Sequence, residues 1–131
     1  MKQIFISFVI LLFSVSLSED QWVQTSGPGG SQVKCFANLG ATLFAGTVEG
    51  GVFSSTNNGT SWTAVNNGLT NQRVYSLAVS GTSLFAGTYG GGVFLSTNSG
   101  SSWTAVSNGL TNTDVVLLAV SGQNLFAGTD N

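Results

Sequence analysis

The five residues Leu-Phe-Ala-Gly-Thr occur three times, at 43–47, 84–88 and 125–129, each copy 41 residues after the last. Aligned on that period, positions 43–83 and 84–124 are identical at 29 of 41 places. A period of this length means one supersecondary unit per repeat, each burying its apolar faces against the next. Charged residues make up 6% of the chain and there is no histidine, while Gly, Ser, Thr and Asn abound. Such turn-formers between short apolar runs suit hairpins and argue against long helices.

One repeat reads as four short strands. Residues 74–79 are strong β-formers, Gly81 marks a turn, and 83–88 is a second strand. The glycines at 90–92 break it, 93–96 is a third strand, and 103–106 a fourth after a polar turn. Apolar residues in succession, such as Leu84, Phe85 and Ala86, fit sheets covered on both faces. The expected fold is all-β: β-propeller blades of four antiparallel strands. Blades are expected at about 33–65 and 74–106, with a partial blade at 115–129. Trp22-Val-Gln-Thr25 mirrors 62–65, so 22–25 reads as an orphan outer strand of a preceding blade. The ring is incomplete at this length. The chain therefore reads as a fragment, with a ring closed by self-association as the rival.

Residues 1–18 read as a secretory signal peptide. Lys2 gives a basic start, 4–15 is apolar but for two serines, and Ser16-Leu17-Ser18 supplies a cleavage site after Ser18. The apolar run is shorter than the roughly 18–20 residues of a membrane span. The mature chain, 19–131, is thus placed outside the cell, at the cell surface or in the periplasm. Lys34 and Arg73 are its only bases. Two bases cannot neutralise a phosphate backbone, so nucleic acid is excluded as a partner. Cys35 is the sole cysteine, so it has no internal disulfide partner and reads as a small buried hydrophobe. Asn58-Gly59-Thr60 is an N-glycosylation acceptor, usable in a eukaryotic secretory pathway.

The turn between third and fourth strands reads Ser55-Thr-Asn57-Asn-Gly59-Thr-Ser61-Trp62, then Ser96-Thr-Asn98-Ser-Gly100-Ser-Ser102-Trp103. It resembles the Asp-box, or BNR repeat, of sialidases, sortilin-like receptors and photosystem II assembly factors, whose pattern is Ser-x-Asp-x-Gly-x-Thr/Ser-Trp. Both copies carry Asn where that family usually has Asp. An Asn oxygen still accepts backbone N–H bonds round the turn, Gly59 and Gly100 take positive φ, and Trp62 and Trp103 anchor the hairpin. The resemblance implies a peripheral, structural role for Ser55, Asn57, Gly59, Ser61 and Trp62, and for Ser96, Asn98, Gly100, Ser102 and Trp103.

Five of the twelve differences between the two copies fall in the second-to-third turns and the inter-blade loops. These open on one face, opposite the Asp-box turns. Their charged or aromatic members, Glu49, Arg73, Tyr89 and Asp114, are the candidate ligand-face residues. Sialidases of the resembled family use an arginine cluster, a Tyr–Glu nucleophile pair and an Asp acid/base. Here Arg73 is the only arginine, and no motif marks Tyr75, Tyr89 and Glu49 as a pair. No Ser–His–Asp set, metal-ligand cluster or cofactor motif is present. The sequence reads as a non-catalytic binding or scaffold module for a protein or glycan. The competing reading is a fragment of an exo-sialidase-like glycoside hydrolase whose active residues lie on other blades.

Overall fold

The computed structural model describes residues 24–29 and 32–130. The expected signal peptide, and Trp22 and Val23 of the expected outer strand, lie outside the described residues. Gln24 and Thr25 hold no ladder. A Cβ built on Gly59 would nonetheless meet Thr25 Cγ2 at 3.8 Å, as one on Gly100 would meet Val65 Cγ2 at 3.2 Å. Thr25 thus stands in the place of Val65.

Among the described residues, ten strands form three antiparallel sheets. The first holds β1 (Val33–Leu39), β2 (Thr42–Thr47), β3 (Gly51–Ser55) and β4 (Thr63–Ala64) in that order. The second repeats it with β5 (Val74–Ser80), β6 (Ser83–Thr88), β7 (Gly92–Ser96) and β8 (Thr104–Ala105). The third pairs β9 (Val115–Ser121) with β10 (Asn124–Thr129). The first two sheets are each a four-stranded blade, and the third is the two-stranded partial blade. Expected and observed strands agree except at the fourth, which spans two residues because Trp103 leaves the ladder and turns inward, 4% exposed.

Neighbouring blades meet through their first strands, β1 on β5 and β5 on β9. Phe44, Val52, Val74, Leu77, Leu84, Ala86, Phe94 and Trp103 form the core between the first two blades. Val93, Val115 and Leu118, flanked by Ala78, Phe85 and Leu125, form the core between the second and third. Burying a side chain of this size is worth about 1.5–3 kcal/mol, so blade stacking carries the stability. Cys35 lies in this packing. Burial pushes its thiol up to about 11, the behaviour of a small hydrophobe.

Candidate ligand face

Starts of first and third strands, and ends of second strands, share one end of each blade. There the backbone ties each blade to itself and to the next. Val48, Tyr89 and Asp130 N–H donate to the carbonyls of Gln32, Arg73 and Asp114 at 3.0, 2.9 and 3.0 Å. Gly51 and Gly92 N–H donate across to the next blade, to Gln72 and Thr113 carbonyls at 3.0 and 2.9 Å.

Three side chains lock these loops. Asn71 Nδ2 donates to the Tyr89 carbonyl at 3.2 Å while its Oδ1 accepts from Arg73 N–H at 2.9 Å. Asn112 repeats this with the Asp130 carbonyl and Asp114 N–H, at 3.0 and 2.8 Å. Asn66 Oδ1 accepts from Val52 N–H at 2.7 Å and its Nδ2 donates to the Gly50 carbonyl at 2.8 Å. The loops are therefore a fixed platform on which neighbouring side chains vary.

All five charged side chains among the described residues, Lys34, Glu49, Arg73, Asp114 and Asp130, sit at this end. The opposite end, with its hairpin and Asp-box-like turns, has none among the described residues. Each first strand also bulges here. The register slips between Val33 and Cys35 and between Val74 and Ser76, leaving Lys34 and Tyr75 as the extra residues. A bulge re-aims a side chain, and these two are aimed at each other: Lys34 Nζ lies 5.4 Å from the Tyr75 ring centroid. Tyr75 in turn packs on Tyr89, centroids 5.5 Å apart and planes tilted by 37°. Arg73 Cζ lies 4.8 Å over the Tyr89 ring. The two bases among the described residues, Lys34 and Arg73, thus flank one tyrosine pair, each cation–π contact worth about 0.5–1 kcal/mol at an exposed site.

Acids close the far side. Tyr89 O–H donates a long bond, 3.5 Å, to Asp130 Oδ2. The charge of Asp114, then that of Asp130, raises the Tyr89 phenol pKa against the opposing pull of Arg73. The phenol therefore stays a neutral donor throughout the physiological range.

Of the residues singled out from sequence, Arg73, Tyr89 and Asp114 come together here. Glu49 does not; it stands exposed at the tip of the first blade's turn, and no ring contact or hydrogen bond joins it to the cluster. Lys34, Tyr75 and Asp130 were missed. Tyr75 differs between repeat copies, but on a strand, where variation reads as repacking. Among the described residues no three His, Cys, Asp or Glu side chains converge as metal ligands.

At the other end the Asp-box-like turns are closed hydrogen-bond circuits. Asn57 Oδ1 accepts from Ser61 N–H and from Ser55 Oγ–H, both at 2.9 Å, and Ser55 Oγ accepts from Gly59 N–H at 2.9 Å. Asn57 Nδ2 donates to Ser61 Oγ at 2.8 Å, a bond an aspartate cannot donate. Asn98 repeats the circuit with Ser96, Gly100 and Ser102. Every polar atom of both amides' working edges is engaged within the turn.

Comparison with known proteins follows the architecture. A crystal structure of an ancestral GH74 enzyme superposes with a TM-score of 0.66 at 29% sequence identity, over 82% of this chain and 15% of that one. The chain thus spans a small part of the solved protein it matches. No curated protein matches it. The family profile described as the DUF6242 beta propeller domain matches residues 10–119, and the chain belongs to that β-propeller family.

Proposed function

We propose that this chain is a non-catalytic binding module, secreted or held at the cell surface, whose charged end takes a glycan. The observation that carries the reading is the row Lys34–Tyr75–Tyr89–Arg73 on the only charged end of the described blades. Aromatic faces accept the C–H face of a pyranose, and a few convergent polar groups fix its orientation. The Asp114 and Asp130 carboxylates and the Arg73 guanidinium supply acceptors and donors for sugar hydroxyls. With two bases against three acids, the face favours a neutral glycan over an acidic one. The apolar leader at 4–15 supports export.

Isothermal titration with a panel of neutral oligosaccharides tests this. Binding is expected, weakened at least tenfold by Tyr89→Ala. Absence of binding across the panel would sink the glycan reading.

The likeness to the GH74 enzyme favours one second reading: this stretch contributes to a glycoside-hydrolase ring whose chemistry is completed on other blades. Two carboxylates set across a sugar are what such chemistry requires, and this reading places them on those other blades. Reducing-end release from the same panel by a chain carrying further blades, with none from residues 24–130 alone, would favour it.

A further inference from the structure

We infer that Lys34 and Arg73 are displaceable caps on the tyrosine pair, which a ligand moves aside before it lies on the rings. The inference rests on the glycan reading and names how that site is regulated. In that reading a pyranose lies on a ring face. Lys34 Nζ stands over the Tyr75 ring, 5.4 Å from its centroid, and Arg73 Cζ over the Tyr89 ring at 4.8 Å. The rings also pack against each other, centroids 5.5 Å apart. In the free chain the cations therefore hold faces that the ligand needs. Both rings are half-buried and both bases exposed. The bases are thus the parts free to leave, since exposed side chains change rotamer within nanoseconds.

The repeat shows that the caps come with the rings. Backbone bonds pair Gln32 with Val48, Arg73 with Tyr89 and Asp114 with Asp130 at the same place in successive copies. The one aromatic member of these three pairs stands with the one base. The bulge position carries Lys34, Tyr75 and Val116 in turn, and there too the ring meets a base, which reaches it from the neighbouring blade. A ligand must gain more from each ring than the cation gives up, about two- to fivefold in affinity for one exposed contact. The caps thus hold back weak apolar contacts and select a ligand that adds polar ones. Asp130, 3.5 Å from the Tyr89 hydroxyl, is a carboxylate beside the ring toward which a displaced Arg73 can turn.

Isothermal titration of Lys34→Ala and Lys34→Arg against the same neutral oligosaccharides tests it, with proton NMR of the Lys34 and Arg73 side chains as a second reading. Lys34 is exposed, so neither change threatens the fold. Lys34→Ala uncovers Tyr75 and is expected to tighten binding about two- to fivefold. Lys34→Arg keeps a cation over the ring and should match the wild type. In the free wild-type chain the Lys34 ε and Arg73 δ protons should sit upfield, shifted by the ring currents, and return to ordinary values at saturation. Unchanged or weaker binding by Lys34→Ala, equal tightening by Lys34→Arg, or upfield shifts that persist at saturation would each overturn the inference and leave the glycan reading standing. Binding by Lys34→Ala with none measurable for the wild type supports the inference. Absence of binding by all three chains sinks the glycan reading and the inference with it.

Discussion

Asn58 and Ser99 hold the same place in successive turns, with φ of 56° and 55°, each followed by a glycine at 82° and 85°. Thr60 and Ser101 N–H close the turns on the Asn57 and Asn98 carbonyls, both at 3.1 Å. Two left-handed residues in succession make the mirror-image hairpin turn that Asn-Gly favours. Ser99 is the poorer fit, because a serine gains less from that conformation than an asparagine. Ser99→Asn is expected to stabilise the chain by about 0.5–1 kcal/mol, read as a shift in the urea midpoint; no shift would mean the turn carries no strain. Cys35 makes a second prediction. Its thiol, raised from 9.0 to about 11 by burial, is protonated in the folded state long after the unfolded chain ionises. The stability it contributes is complete below pH 9 and declines as pH rises from 9 toward 11. At pH 8, alkylation followed by mass spectrometry should find Cys35 slow in the native protein and fast in denaturant; equal rates would contradict its burial.

At the scale of the element, the repeated Leu-Phe-Ala-Gly-Thr owes its glycine to blade spacing. A Cβ on Gly46 would come within 2.5 Å of Cys35 Sγ and 2.7 Å of Val74 Cγ1 in the next blade. One on Gly87 would reach 2.8 Å from Val115 Cγ1. Gly128, in the third copy, faces nothing closer than Leu117 Cβ at 3.3 Å. Gly46→Ala and Gly87→Ala should each cost about 1–3 kcal/mol and Gly128→Ala well under that, measured by thermal unfolding. Equal costs at all three would place the glycine's role in the strand and not in the interface. The tryptophans differ in the same way. Trp103 Nε1 donates to the Val65 carbonyl at 2.7 Å, whereas Trp62 Nε1 is buried with no acceptor among the described residues. Trp103→Phe is therefore expected to destabilise by about 1 kcal/mol more than Trp62→Phe.

Across the whole molecule, the fold was legible in the sequence because a repeat announces its own period, and because Gly81 and the glycines at 90–92 punctuate the strands where the structure turns. The cluster at the charged end, the candidate site, was legible in part. Arg73, Tyr89 and Asp114 showed themselves as charged or aromatic differences at loop positions of otherwise matching copies. Lys34 and Tyr75 did not, since only the register slip at each first strand turns them toward the loops, and a bulge leaves no mark in a pattern of apolar residues. Asp130 was hidden because its equivalents are Val48 and Tyr89, and only the backbone bond to Asp114 shows that it belongs to the same rim. Asn66 differs between copies as the candidates do, yet it bonds Val52 N–H and the Gly50 carbonyl, so variation at that position reflects two ways of closing one loop. The central claim is that the charged end, and not the end with the Asp-box-like turns, meets the ligand. Amide hydrogen exchange with and without saturating neutral oligosaccharide tests it most directly. Slowed exchange at Tyr75, Tyr89 and Asp114, with residues 57–61 and 98–102 unchanged, is the predicted result; protection confined to those two turns would contradict it.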